Sequence, residues 1–201
     1  MVMESISQWL PSSIDPDYQT ETPLFWQQCQ RRYRFQPIYR VTGRLLAIEL
    51  LTAVSHPAQP ERNLSPEAWF AGLDIAQRLN VIYEQLELLT QWSAFFERNG
   101  VVASVNIDGP SLLSIQHRPA IRRLIARLPW IRFELTEHHA LPQAERVAKI
   151  PELGPLWLDD FGSGMANFSA LTELKYDYIK LSRDLFILLG SSDEDRKSTR
   201  L

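Results

Sequence analysis

The second half of the sequence alternates between short apolar runs and amphipathic segments, and this alternation constrains the fold more than any other feature. Strand-like runs occur at 101–107, 131–137, 155–160 and 176–182. Helix-like segments occur at 120–128, 142–150, 167–174 and 183–189. Regular exchange of strands and helices is typical of a parallel sheet covered by helices, or of a β/α barrel. The pattern therefore predicts an α/β fold.

The N-terminal half is predicted to begin the sheet with a hairpin. Two apolar runs, 34–40 and 45–51, are separated by only four residues. Parallel neighbours need a crossover of about a dozen residues or more, so these two strands should be antiparallel if they pair. A helix is expected near 22–32, before the hairpin. A longer helical region should begin at Ser65, a good N-cap, and end at Gly100.

The two ends of the chain lack this pattern. We expect residues 1–19 to form a flexible lead, residues 20–190 to form one domain, and residues 191–201 to form a disordered tail. Asp108 and Gly109, after the run at 101–107, are expected to form a turn.

Composition excludes several classes of function. The formal net charge of −3 gives no general attraction to nucleic acid or anionic lipid, and we interpret the arginine-rich segment 118–127 as a solvated helix face. Cys29 is the one cysteine, which argues against a disulfide framework or a cysteine metal site. The N-terminus does not resemble a secretory signal, and no apolar run reaches the ~18 residues that a membrane helix needs. We expect a cytoplasmic protein without nucleic-acid or membrane partners.

Polar side chains interrupt the predicted apolar strands, mostly late in each strand. They are Glu49, Asn106, Glu134, Asp159, Asp160 and Lys180. A lone glutamate in a strand is more often a buried structural residue, but six such residues on successive strands favour a common site. In a β/α barrel the C-terminal strand ends form one rim, from which catalytic groups are drawn. We therefore expect these six side chains to meet at one mouth.

Four carboxylates at one mouth repel one another unless cations lie among them. Mg²⁺ and Mn²⁺ take carboxylate, amide-oxygen and water ligands, and two such ions ~3.5–4 Å apart are typical of phosphodiester hydrolysis. Asp159 could bridge two ions while Asp160 reaches one. Lys180 could orient or help deprotonate the attacking water, or neutralise the phosphate. The Asp-Phe-Gly at 160–162 also occurs in protein kinases, but no glycine-rich phosphate loop or His-Arg-Asp accompanies it.

The motifs resemble those of the EAL-domain phosphodiesterases from about Phe35 to Phe186. The matching segments are FQPI at 35–38, ELL at 49–51, LSPEAWF at 64–70, VNID at 105–108, FELTE at 133–137, DDFGSG at 159–164 and YIKLSRDLF at 178–186. The resemblance implies a modified TIM-type (β/α) barrel with an antiparallel first strand. It also implies hydrolysis of the bacterial second messenger cyclic di-GMP to linear pGpG at a two-metal site holding Mg²⁺ or Mn²⁺.

The resemblance assigns a role to each matching residue. It implies catalytic roles for Glu49, Asp160 and Lys180, and cation-binding roles for Glu49, Asn106, Glu134, Asp159 and Asp160. It implies substrate contacts for Gln36 and Leu51. Glu137 is expected to anchor the loop that contains Phe161, Gly162, Ser163 and Gly164. Family members often pair near this loop, so a homodimer is expected. The most similar members are stand-alone EAL enzymes, some of which control motility, fimbriae or biofilm.

The sequence also departs from the family pattern. Ala53 stands where the family usually has a phosphate-contacting arginine, and Ser182 stands where an aspartate usually follows the lysine. Only about six of eight strands are predicted, and a later glutamate segment is missing. We therefore expect a barrel that is incomplete at its C-terminus, in a truncated and impaired form. The alternative is a degenerate EAL protein that binds cyclic di-GMP or a protein partner without hydrolysis; the retained polar set argues against it.

Overall fold

The computed structural model describes residues 23–136, 144–163, 174 and 176–189. These residues form two compact units: residues 23–34 with 52–74, and residues 35–51 with those from 75 onward. The predicted lead, the predicted helix at 167–174 apart from its last residue, and the predicted tail lie outside the described residues. No helix in the described ranges is long and apolar enough to cross a bilayer.

The described part of the chain contains seven strands, one more than the sequence predicted. The strands are β1 (Gln30–Tyr39), β2 (Leu45–His56), β3 (Gln59–Leu64), β4 (Val102–Asn106), β5 (Ile131–Thr136), β6 (Leu156–Phe161) and β7 (Tyr176–Leu181). The helices are α1 (Pro23–Gln28), α2 (Pro66–Ala71), α3 (Ile75–Thr90), α4 (Ser93–Asn99), α5 (Gly109–Ser114), α6 (Pro119–Arg127), α7 (Ala144–Val147) and α8 (183–189). A 3₁₀ turn, Ile115–His117, follows α5.

The first unit is built from α1, α2 and an antiparallel pair formed by the end of β2 and β3. Ser65 caps α2 as predicted, because its Oγ accepts a 3.1 Å hydrogen bond from the backbone N–H of Ala68. Trp69 is buried and its indole N–H donates to the carbonyl of Trp26 at 3.1 Å. These contacts give the unit a small core of its own.

The second unit is a parallel sheet that begins with an antiparallel hairpin. Its strand order is β1-β2-β4-β5-β6-β7, and each pair from β2 to β7 is parallel. The β1–β2 turn is closed by Arg40 and Arg44, whose backbone N–H and C=O are 2.8 Å apart. Gly43 supplies the φ of +77° that this turn requires. The antiparallel start and parallel continuation agree with the predicted barrel.

Helices α3 to α6 depart from the sequence predictions in two places. The helical region predicted from Ser65 to Gly100 is divided among α2, α3 and α4, and α4 ends as expected at a left-handed Gly100. The turn predicted at Asp108 is wrong: Asp108 is the N-cap of α5, and its Oδ1 accepts a 2.7 Å bond from the Ser111 N–H. Its other oxygen pairs with Arg78 at 2.6 Å.

Candidate active site

The polar residues predicted from the sequence lie on five strands of the second unit. Register places Asn106 opposite Glu134, Glu134 opposite Trp157, and Thr136 opposite Asp159. Parallel strands in a barrel carry their C-terminal ends on one rim. Asn106, Glu134, Asp159 and Lys180 fall late in their strands, and Glu49 lies in the part of β2 that pairs with β4. The strand pairing therefore brings the predicted residues to one end of the sheet.

Three of these residues are joined by hydrogen bonds centred on Glu49. The amide of Asn106 donates to Glu49 Oε1 at 2.9 Å, and the ammonium of Lys180 donates to Glu49 Oε2 at 2.8 Å. Lys180 also forms an ion pair with Glu134 Oε1. Glu49 and Glu134 are buried, the latter completely. One ammonium thus balances two buried carboxylates.

The electrostatics of the cluster follow from burial and from the surplus of acids. Burial raises the pKa of Glu134 to about 7; the charge of Lys180 opposes this shift, and Glu49 and Asp159 add to it. Burial also raises the pKa of Asp159, again against the influence of Lys180. For Lys180, burial acts to lower the pKa, but the neighbouring carboxylates together outweigh it and raise the pKa above its ordinary value. Lys180 is therefore protonated at neutral pH in this arrangement.

A bulge near the end of β6 explains how two adjacent acids can serve one site. Leu158 pairs with Ile179 and Phe161 pairs with Leu181, so β6 advances by one more residue than β7. Asp160 lies in this interval with a φ of +57°, a left-handed conformation that is unfavourable by ~1–2 kcal/mol for a residue with a Cβ. A bulge breaks the strict alternation of side chains along a strand. Asp159 and Asp160 therefore need not point to opposite faces.

The loop after the two aspartates is held by short local contacts. Both the hydroxyl and the backbone N–H of Ser163 donate to the carbonyl of Asp160, at 2.6 and 3.2 Å. Gly162 has a φ of +90°, and Phe161 is buried. These contacts stabilise the unusual backbone conformation of Asp160. Glu137 and Gly164, predicted to belong to this loop system, lie outside the described residues.

The two predicted substrate-binding residues lie on the hairpin strands. Gln36 is exposed on β1, and Leu51 is half-buried on β2, two residues after Glu49 on the same side of the strand. Within the described part of the chain, neither makes a hydrogen bond or ion pair to the Glu49 cluster. Ala53 is half-buried further along β2.

Sequence reasoning missed the apolar and small residues that surround the acids. Ser104 is fully buried opposite Glu49, and the Trp157 indole is buried opposite Glu134, against Tyr178 at a centroid distance of 5.0 Å. Neither side chain suggests a functional site from the sequence alone, because serine and tryptophan are common in apolar strands. Ser104 lies two residues before Asn106 and Trp157 lies two residues before Asp159, so counting back two positions from these predicted residues would have identified both.

The donor set fits a hard divalent cation. Apart from the ion pair with Lys180, neither oxygen of the buried Glu134 has a hydrogen-bond donor among the described residues, which is unfavourable for a buried carboxylate. Glu49, Asp159 and the amide oxygen of Asn106 add further ligands of the type that Mg²⁺ and Mn²⁺ prefer. As the described side chains stand, no three acidic, histidine or cysteine groups converge to coordinate an ion, and Lys180 supplies the positive charge.

Comparison with known proteins identifies relatives of this chain by sequence. Residues 20–201 match the family model of the EAL domain. The cyclic di-GMP phosphodiesterase PdeH of Escherichia coli (strain K12) is 54% identical over 172 residues, which cover 86% of this chain and 68% of PdeH.

Solved structures share the fold. The EAL-like domain protein YdiV matches with a TM-score of 0.73 at 19% identity, over 88% of this chain and 77% of that one. Klebsiella pneumoniae BlrP1 matches in its calcium/cyclic di-GMP complex with a TM-score of 0.56 at 19% identity, over 84% of this chain and 47% of BlrP1. Its manganese/cyclic di-GMP complex matches with a TM-score of 0.51 at 20% identity, over 84% and 48%. These matches confirm the predicted barrel-type fold.

Proposed function

This chain belongs to the EAL-domain family, and on that basis we propose that it is a phosphodiesterase that hydrolyses cyclic di-GMP to linear pGpG. High sequence identity to PdeH supports the substrate. The single structural observation that carries the proposal is the contact set in which Lys180 bridges Glu49 and Glu134 while Asn106 binds Glu49. An outward-facing or scattered arrangement of these residues would serve no hydrolytic chemistry.

A divalent cation, Mg²⁺ or Mn²⁺, completes the proposed site. Glu49, Asn106, Glu134, Asp159 and Asp160 would hold it, in a two-metal site if both aspartates take part. When bound, such a cation supplies neutralisation of the phosphodiester and a water of lowered pKa. The surplus of carboxylates over ammonium groups at the cluster supports this proposal.

The chain's own groups have distinct tasks in the proposed reaction. Lys180 holds its proton, so it serves as a cationic donor that orients the attacking water or the phosphate; a role in removing the water's proton is less favoured. Asn106 fixes the orientation of the Glu49 carboxylate by donating to one of its oxygens. Gln36 and Leu51 would contact substrate, as the resemblance implies. The cytoplasmic location and the homodimer remain predictions from the sequence.

Turnover of cyclic di-GMP by the purified chain, with Mg²⁺, Mn²⁺ or EDTA, tests the proposal. We expect metal-dependent appearance of pGpG. The Glu49→Ala variant should lose activity by about two orders of magnitude or more, because cation chemistry contributes several kcal/mol to the barrier. Glu97→Ala, at an exposed position of α4, is the matched control and should behave as wild type. Stable binding of cyclic di-GMP with no product would instead support the non-hydrolytic alternative.

A further inference from the structure

The loop that carries the two aspartates is packed against the start of α8. The backbone N–H of Ser182, the residue between β7 and α8, donates to the carbonyl of Phe161 at 2.9 Å. This bond ties the end of the Asp159–Asp160 bulge to the residue that begins the helix. Phe161, which accepts this hydrogen bond, directly follows Asp160 in the chain.

Ser182 is the N-cap of α8. Its Oγ accepts a 3.2 Å bond from the Leu185 N–H, and its carbonyl accepts a 2.9 Å bond from the Phe186 N–H. Its side chain is buried, with 3% of the residue exposed. A side-chain acceptor at this position satisfies an N–H that the helix leaves unpaired. The same residue therefore begins the helix and holds the loop.

Leu185 lies directly over Gly162. A Cβ on Gly162 would be 2.5 Å from Leu185 Cδ2 and 3.0 Å from Leu185 Cβ, so the leucine side chain rests on the glycine backbone. Gly162 has a left-handed φ of +90°, as Asp160 does at +57°. Gly162 adopts this conformation without steric cost, but it is unfavourable for Asp160, which has a Cβ, unless surrounding contacts hold it. Leu185 and the Ser182 cap are such contacts.

We propose that Ser182 and Leu185 are positioning residues that hold the Asp159–Asp160 bulge in the conformation that binds a divalent cation. The inference rests on the proposed cation site. Neither residue touches the reacting groups. Both act through the backbone of Phe161 and Gly162, so their loss should weaken cation binding while the rest of the sheet stays folded.

The test measures Mn²⁺ binding by wild type and four variants, from the free-Mn²⁺ electron paramagnetic resonance signal, beside kcat and KM for cyclic di-GMP. Leu185→Ala should bind Mn²⁺ about tenfold more weakly, which is the scale of losses when groups supporting metal ligands are removed. Ser182→Ala should also bind more weakly, and Ser182→Asp should restore binding because aspartate is an equally good N-cap. Ile187→Ala, at an exposed position of α8, is the matched control and should bind as wild type.

The outcomes separate this inference from the proposed function. Weaker Mn²⁺ binding in Leu185→Ala and Ser182→Ala, with rescue by Ser182→Asp, supports the inference even if no variant hydrolyses cyclic di-GMP. Equal Mn²⁺ affinity across all variants overturns it even if wild type is an active enzyme. An equal loss in Ile187→Ala, or a wild type that binds no Mn²⁺, also overturns it. If circular dichroism shows that Leu185→Ala does not fold, the Mn²⁺ affinities of Ser182→Ala and Ser182→Asp decide the test.

Discussion

Lys180 Nζ on β7 lies 2.8 Å from Glu49 Oε2 on β2, although β4, β5 and β6 separate these strands in the sheet and 131 residues separate them in sequence. A flat sheet would hold the two strands about 19 Å apart at ~4.8 Å per neighbour. The second unit must therefore curve so that its two sides face each other. The contacts of the proposed active site form only when the whole parallel sheet has assembled.

Replacing Lys180 with methionine should make the protein depend on cations for stability. The change leaves Glu49 and Glu134 buried without their counter-charge, and breaking a buried ion pair costs ~3–5 kcal/mol. We expect a lower Tm than wild type in EDTA at about pH 8, a larger rise in Tm on adding Mn²⁺, and an activity loss of ~100-fold or more. Lys149→Met, at an exposed position, is the control. Matching Tm values for the two variants in EDTA would contradict the prediction.

The stability of the metal-free protein should fall as pH rises from about 4.5 to about 7, because of Glu134. Its pKa is about 7 in the folded protein against an ordinary 4.5, so between these values the folded state binds the extra proton. Stability therefore decreases as pH increases across that window, and the full penalty is present above about pH 7. Urea unfolding in EDTA from about pH 5 to pH 8 measures it, with Glu134→Gln as reference. Parallel pH profiles for the two proteins would be evidence against this shift.

Ser163→Ala should impair the site more than Ser163→Thr. The Ser163 hydroxyl donates at 2.6 Å to the carbonyl of Asp160, which a threonine hydroxyl can also do and alanine cannot. A typical net value for one such hydrogen bond is ~1 kcal/mol, so we expect a several-fold loss of kcat/KM in the alanine variant and near-wild-type kcat/KM in the threonine variant. Circular dichroism checks that both fold. Equal activity of the two variants would show that this bond has no catalytic consequence.

Asp108→Ala should destabilise the second unit by ~2 kcal/mol. It removes the N-cap of α5 and the 2.6 Å pairing with Arg78, and loss of a cap alone typically costs ~1 kcal/mol. Asp108→Asn should lose less stability, because asparagine is an equally good N-cap and only the negative charge is removed. Urea midpoints for the three proteins give the comparison. An asparagine variant as unstable as the alanine variant would indicate that the charge, and not the cap, dominates.

Much of the fold was predictable because the site residues interrupt strongly apolar strands. Glu134 inside "RFELT" has no alternative interpretation as a loop residue, so both the strand and its acid were found. β3 was missed because its sequence, "QPERNL", is polar and does not alternate between apolar and polar residues. It becomes a strand by pairing with β2, an interaction that its own sequence does not indicate. Asp108 was misread because the short helix after it, "GPSLLS", begins with two residues that are common in turns.

The bulge at Asp159–Asp160 was beyond sequence reasoning. Adjacent acids in a strand are compatible with regular alternation or with an inserted residue, and composition does not distinguish the two. The deciding interactions come from Ser163 and from Ser182, which is 22 positions away from Asp160 in the chain. Such long-range contacts become visible only when β7 and α8 are in place.

The burial of Trp157 beside Glu134 gives the site an optical reporter. Trp157 is paired with Glu134, a proposed ligand, on the neighbouring strand, and the backbones of neighbouring strands are ~5 Å apart. Paramagnetic Mn²⁺ quenches fluorophores at such range. Titration with Mn²⁺ should dim the tryptophan emission in proportion to occupancy, Mg²⁺ should not, and Trp157→Phe should abolish the dimming. This intrinsic fluorophore would allow cation binding to be followed in real time without substrate.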